Sequence, residues 1–158
     1  MAAVTGKPDR HDWLRQLGAT TILGRADVLD ETDRPLLSER FAAAVDTVGG
    51  RTLSTLLRAT KYRGVVAACG LVGGDKFSVS VYPFLLRGVT LAGIDSAKCP
   101  RPQRLEMWQK LAGEWRIENL DRLASEATLD DLPYRVRQIL VGGIVGRTLV
   151  VPTSKIVG

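Results

Sequence analysis

The stretch Ala2-Ala3-Val4-Thr5-Gly6-Lys7, running on through Asp9 to Leu17 and stopping at Gly18, decides how the rest of this chain is read. Its opening is a short apolar run that ends in a small, basic turn, the pattern of a strand with its carboxyl end exposed. The segment after it places Trp13, Leu14 and Leu17 at helical spacing, and Gly18 is a helix stop. Strand, turn and helix in that order form the unit from which parallel sheets are wound, because parallel neighbours need a helical crossover between them.

The alternation continues along the chain. Thr20 to Leu23 reads as a second strand, Gly24 to Arg40 as a polar connection with Asp33-Arg34-Pro35 as a turn, and Phe41 to Asp46 as a third strand. That strand leads into Asp46-Thr47-Val48-Gly49-Gly50, a strand-to-helix turn, and Leu53, Leu56 and Leu57 place a helix over Thr52 to Ala59 that closes in the basic Lys61-Tyr62-Arg63-Gly64. Val65 to Cys69 is a continuous apolar run of the fully buried kind, followed by Gly70-Leu71-Val72-Gly73-Gly74. Val89 to Ile94 is a further strand, Pro102 to Leu111 a helix with Leu105, Trp108 and Leu111 on one side, Asp130 to Gly142 a last helix, and Arg147 to Val151 a terminal strand.

This order predicts an α/β fold, a Rossmann-like doubly wound and mostly parallel sheet. In such a sheet the opening strand carries a Gly-x-Gly-x-x-Gly turn that seats a pyrophosphate on a helix N-terminus. Ala2 to Val4 has the character of the strand after it, so the sheet is expected to be incomplete, with the first strand and the glycine-rich turn absent. In the strand order 3-2-1-4-5-6 the absent strand lies between Ala2 to Val4 and Ala42 to Val45. Unpaired backbone there is costly, so the expectation is that the half-sheets close on each other or that another polypeptide fills the gap.

With 158 residues, 45% hydrophobic and 25% charged, the composition is that of a folded globular domain and argues against disorder or a disulfide framework. No apolar run reaches the roughly 18 residues of a membrane span, and the N-terminus lacks the order of a signal peptide, so the expected location is the cytoplasm. Cys69 and Cys99 stand 30 residues apart and His11 is the sole histidine, too few ligands for zinc; no metal is expected. Cys69, inside its apolar run, reads as a small buried side chain rather than a nucleophile. The net charge of +5 is spread along the chain without a basic run. That favours a solvated surface with a site for an anionic ligand, and neither nucleic acid nor membrane is expected as a partner.

Two groups of residues carry the candidate chemistry. Thr5, Gly6 and Lys7 put a hydroxyl and an ammonium at the carboxyl end of the first strand, where an NAD-binding site places an acidic residue for the ribose hydroxyls. A basic residue there favours NADP, and Arg25, after the neighbouring strand, adds a second cation. Cys69, Gly70 and Leu71, with Gly93, Ile94, Asp95 and Ser96, form two strand ends with small residues, where a flat ring can approach the backbone. Tyr62, Tyr82 and His11 have side chains suited to acid–base work, and each reads better as a packed aromatic or a surface residue.

The strings Ala44-Val45-Asp46-Thr47-Val48-Gly49, Val66-Ala67-Ala68-Cys69-Gly70-Leu71, Pro83-Phe84-Leu85-Leu86-Arg87-Gly88-Val89, Leu91-Ala92-Gly93-Ile94-Asp95-Ser96 and Gly146-Arg147-Thr148-Leu149-Val150 resemble the quinone oxidoreductase branch of the medium-chain dehydrogenase/reductase superfamily. Within it they are most similar to the zinc-independent acrylyl-CoA reductase subgroup. The resemblance implies NADPH as cofactor and hydride transfer to an activated alkene or a quinone in the full-length enzyme, with a GroES-like catalytic domain preceding the cofactor domain. It implies that Thr5, Gly6, Lys7 and Arg25 hold the 2′-phosphate, that Cys69 to Leu71 and Gly93 to Ser96 meet the nicotinamide end, and that Arg147 lies near the cofactor. It further implies a partial NADP-binding domain at residues 1–140, a closing segment at 141–158 that returns to the catalytic domain, and a homodimer through residues 89–94. The isolated chain is expected to be inactive, with no catalytic residue assigned. The alternative is a dimerising nucleotide-binding module without chemistry.

Overall fold

The structure, a computed structural model, describes residues 1–118 and 120–152. Residues 153–158 of the expected closing segment lie outside the described residues. The elements are β1 (Ala2–Val4), α1 (His11–Gln16), β2 (Thr21–Leu23), β3 (Phe41–Asp46), α2 (Gly50–Ala59), β4 (Thr60–Ala68), α3 (Tyr82–Arg87), β5 (Thr90–Gly93), α4 (Arg101–Ala112), β6 (Ala124–Ala127), α5 (Leu132–Leu140) and β7 (Arg147–Val150). The chain divides into two compact units, Met1–Cys99 and Pro100–Gly158.

In the first unit β1 pairs with β2, and β3, β4 and β5 form a second ladder in that order. Every pairing is parallel, as the alternating pattern of the sequence requires. The core sits on one face of the three-stranded ladder, where Leu53, Leu56 and Leu57 of α2 pack with Val66 and Val89, flanked by Phe41, Ala44, Phe84 and Leu91. The opposite face is open, with Val45 74% exposed and Val65 39% exposed. The reading of Val65 to Cys69 as a fully buried strand is therefore corrected: Val66 is buried, but Cys69 is exposed, because no helix of the described residues covers that side.

The basic stretch Lys61 to Gly64, read as a helix tail, is the first half of β4. Its ladder to β3 slips between Phe41 and Ala43, and Arg63 takes φ 57 at the irregularity. Gly64 is needed there, since a Cβ would stand 2.6 Å from the Ala42 carbonyl oxygen.

The half-sheets do not close on each other. No ladder joins β1 to β3, and a cleft of about 1470 Å³ lies between them, lined by residues of both strands. The connection from β2 to β3 holds that separation. Arg58, its side chain 8% exposed, donates to the carbonyls of Asp30, Thr32 and Arg34 and pairs with the Asp30 carboxylate at 3.1 Å. Arg87 donates to Leu37 at 2.7 Å and to the Arg58 carbonyl at 2.9 Å. Arg40 donates to the Asp27 carbonyl at 2.6 Å. These bonds pin the connection to the α2 side.

In the second unit β6 pairs in parallel with β7. The strand Ala-Ser-Glu-Ala of β6 was not foreseen, and α5 is shorter than the expected Asp130 to Gly142. Asp131 precedes that helix and accepts the backbone N–H and the hydroxyl of Thr128, at 2.8 and 2.9 Å. These bonds hold its carboxyl below the usual range.

Candidate functional site

One wall of the cleft is the carboxyl end of β1. The Thr5 N–H donates to Leu23 of β2 at 2.9 Å, and the Thr5 hydroxyl accepts the Lys7 N–H at 3.1 Å, so the strand turns outward at Gly6. Arg25 follows β2 and folds back over that turn. A Cβ on Gly6 would stand 2.7 Å from Nε and 3.0 Å from Cζ of Arg25. Glycine thus lets the guanidinium lie against the backbone. Thr5, Gly6, Lys7 and Arg25 all line the cleft, so the structure brings together all four residues read from the first strand ends. The nearby Asp27 carboxylate is occupied with the Gly24 N–H at 2.7 Å and does not line the cleft.

The other wall is the turn from β3 into α2, which the sequence reading treated as a turn only. The Asp46 side chain is buried and accepts the N–H groups of Val48 and Gly49 at 3.2 and 2.8 Å. Gly49 has φ 72, and a Cβ on it would stand 2.5 Å from the Gly74 carbonyl oxygen. Gly70 is pressed against the Thr47 backbone, and Gly73 donates to the Val48 carbonyl at 2.7 Å. The turns after β3 and β4 are therefore locked backbone to backbone. The signal in the sequence was an aspartate three residues ahead of paired glycines, which is a capping arrangement rather than a random loop.

The second expected group sits at the ends of β4 and β5. Ala68 is in register with Gly93, and Ile94 donates to the Ala68 carbonyl at 3.0 Å, so Cys69-Gly70-Leu71 and Gly93-Ile94-Asp95-Ser96 leave the sheet side by side. Cys69 Sγ lies 3.5 Å from the Asp46 carbonyl oxygen, its exposure correcting the buried reading. The Asp95 carboxylate accepts the N–H groups of Ala97 and Lys98 at 3.0 and 3.1 Å, a turn-forming task. Gly93 has open space where a Cβ would go. Arg147 opens β7 in the second unit and donates to the Gly146 carbonyl at 3.4 Å.

Tyr62 is 63% exposed beside Arg63, and Tyr82 is 48% exposed at the start of α3. A separate pocket of about 410 Å³ surrounds Asp30, Arg34, Arg51, Ser54 and Arg58. Its Asp30 carboxyl is held below the usual range, chiefly by the Thr32 hydroxyl at 2.6 Å and then by the Thr32 N–H and Arg58. The described residues hold no group of three His, Cys, Asp or Glu side chains placed for a metal, so they do not fit a zinc ion. Among them no helix is long and apolar enough to cross a membrane.

Comparison with known proteins adds a family. The sequence pattern of the zinc-binding dehydrogenases matches residues 1–113. Acrylyl-CoA reductase AcuI of Ruegeria pomeroyi is 45% identical over 150 residues, which are 95% of this chain and 46% of that protein. The crystal structure of Bacillus subtilis YhfP with NAD bound superposes with a TM-score of 0.89 at 39% identity, over 94% of this chain and 46% of that one. The YhdH oxidoreductase of Salmonella enterica in complex with NADP gives 0.87 at 40% identity, over 94% and 45%. The chain thus spans about half the length of these relatives, and its fold is that of their Rossmann-like part.

Proposed function

The chain belongs to the zinc-binding dehydrogenase family, and from that premise we propose that residues 1–140 serve as the partial NADP-binding domain of an NADPH-dependent reductase, with residues 141–158 returning to its catalytic domain. The reaction on this reading is hydride transfer to the β-carbon of an activated alkene, such as an acrylyl thioester, or to a quinone. The cofactor supplies the hydride when bound. The chain's own residues hold and orient it: Thr5, Lys7 and Arg25 at the 2′-phosphate, and Cys69 to Leu71 and Gly93 to Ser96 along the nicotinamide end. No side chain here is assigned as catalytic.

The observation that carries this reading is Arg25 lying on Gly6, beside a threonine hydroxyl and Lys7. Thr5, Lys7 and Arg25 line the same cleft at the strand ends where an NAD site would place a carboxylate, and a cation beside a phosphate makes a charge-assisted bond of about 1.5 to 3 kcal/mol. Calorimetric titration is the test. NADP is expected to bind more tightly than NAD, and Arg25→Ala to weaken NADP about tenfold or more while leaving NAD unchanged. Equal or tighter NAD binding by the unsubstituted chain sinks the assignment.

The same reading places the protein in the cytoplasm as a homodimer through residues 89–94. Support for the dimer is that β5 is laddered on one side only and leaves an edge open. Leu91→Lys is expected to give monomer or insoluble protein, since Leu91 also packs against the core; an unchanged dimer in sedimentation puts the interface elsewhere.

A further inference from the structure

The pocket beside α2 is separate from the candidate cofactor residues, since none of Thr5, Gly6, Lys7 and Arg25 lines it. Arg58, its side chain 8% exposed, is part of its lining. A guanidinium carries five N–H donors. Here one on Nε goes to the Ser54 carbonyl at 3.4 Å, two on Nη1 to the Thr32 and Arg34 carbonyls at 2.8 and 2.9 Å, and one on Nη2 to the Asp30 carbonyl at 3.0 Å. Among the described residues, the second Nη2 hydrogen has no acceptor. The Lys76 ammonium and the Arg34 guanidinium belong to the same lining and make no hydrogen bond or ion pair among the described residues. Of the carboxylates there, Asp30 and Glu31 are spent on Arg58 and Arg51 at 3.1 and 2.6 Å, which leaves Asp33 against those two cations. We propose that this pocket binds a phosphate monoester with a small apolar body, the phosphoryl oxygens accepting from the spare Arg58 N–H, Lys76 and Arg34.

Both walls are fixed before a ligand arrives. Asp30 to Arg34 is tied down by the Arg58 bonds and by the Asp30 N–H, which donates to Thr55 Oγ1 at 3.0 Å. The facing segment is held where the Ser78 N–H donates to Ser54 Oγ at 3.2 Å. Little ordering therefore opposes binding. The volume of about 410 Å³ lies within the roughly 300–1,000 Å³ of small-molecule sites and leaves room beyond a bare phosphate ion. Phe77, 42% exposed, and Pro35 add apolar surface for the rest of the ligand. The same lining selects against other occupants. A cation would meet Lys76 and Arg34, and a wholly apolar molecule would leave the Arg58 N–H without an acceptor.

The proposal does not depend on cofactor preference, and its test uses no nucleotide. Phenyl phosphate, inorganic phosphate and phenol are each titrated into the 158-residue chain and followed by amide NMR and calorimetry. Phenyl phosphate is expected to bind with a Kd of about 1 mM or tighter and to shift the Ser54, Arg58 and Lys76 to Ser80 amides. Inorganic phosphate is expected to shift the same amides with affinity about threefold weaker or more, and phenol to shift none of them. Lys76→Ala and Arg34→Ala are each expected to weaken phenyl phosphate about tenfold. Phe77→Ala is expected to erase its advantage over inorganic phosphate, and Lys61→Ala, at an exposed lysine outside the pocket, to change neither affinity. Arg51 is kept intact because it also lines the larger cleft. The Lys76 and Arg34 side chains hold no bonds of the fold, so both variants are expected to keep the thermal transition of the chain; if one fails to fold, the other decides. The proposal is overturned by unshifted pocket amides, by shifts confined to Thr5 to Lys7 and Arg25, by inorganic phosphate binding as tightly as phenyl phosphate, or by full affinity in a folded Lys76→Ala or Arg34→Ala chain.

Discussion

The two ladders of the first unit have the same parallel chemistry and very different support. Around β3, β4 and β5 the amphipathic helix α2 lays Leu53, Leu56 and Leu57 against Val66, and Arg58 and Arg87 fasten the neighbouring connection. Around β1 and β2, Ala19 and Val28 are the buried apolar side chains. The candidate NADP residues Thr5, Gly6, Lys7 and Arg25 sit on this thinly supported side. Buried apolar packing is thus unequally divided between the two ladders, and the division is open to experiment.

The largest expected effect is on the supported side. Leu57 is 0% exposed, and Leu57→Ala is expected to cost about 2–5 kcal/mol in urea unfolding. Val4→Ala, at a residue 47% exposed, is expected to stay within about 0.5 kcal/mol. Equal costs at the two positions would break the comparison, since the ladders would then melt as one. Next comes Gly49→Ala, where φ 72 and the approach to the Gly74 carbonyl leave no room; about 3 kcal/mol is expected by the same measurement.

Gly6→Ala sharpens the comparison from the other side. Its Cβ meets only the end of a flexible arginine, so the stability change is expected within about 0.5 kcal/mol. Arg25 must swing away, and the preference for NADP over NAD is expected to shrink in the calorimetric titration. The smallest effect lies in the second unit. The Asp131 carboxyl titrates below its unfolded value because Thr128 bonds its charged form. Its contribution is therefore complete above about pH 4 and is lost as pH falls through the lowered folded value. Carbon-detected titration of Asp131 in the native chain, compared with Thr128→Ala, checks the sign; the substitution is expected to move the midpoint upward.

The alternation of apolar runs and helical spacing was enough to locate β1, β3, α2 and β5, because each combines a strong periodicity with a glycine or charged stop. That Arg25 shares a pocket with Thr5 to Lys7 was legible for a similar reason, since parallel neighbours deliver their carboxyl ends together; its approach to the Gly6 backbone was not. Cys69 was misread because burial of a strand depends on both faces, and a sequence does not say that one face is bare. The first half of β4 was hidden in Lys61 to Gly64, whose charges suit a helix end while the slip at Arg63 has no composition signal. In β6, Ala-Ser-Glu-Ala has weak strand propensity, and its ladder to β7 overrides it. Asp46 was visible as a residue but not as the cap that shapes a wall of the cleft, since its role rests on two N–H groups that face back toward it.

The locked turns after β3 and β4 divide the residues of that region into two alphabets. At Gly49, Gly70 and Gly73 the facing backbone or Val48 leaves room for a hydrogen and nothing larger, so these positions are spelled one way. Leu71 and Val72, 66% and 89% exposed, project from the same frame without supporting it. Drift can therefore rewrite what the rim touches while the frame that presents it stays fixed, and a lineage exploring new ligands would accumulate its changes at Leu71 and Val72 and leave the glycines unvaried.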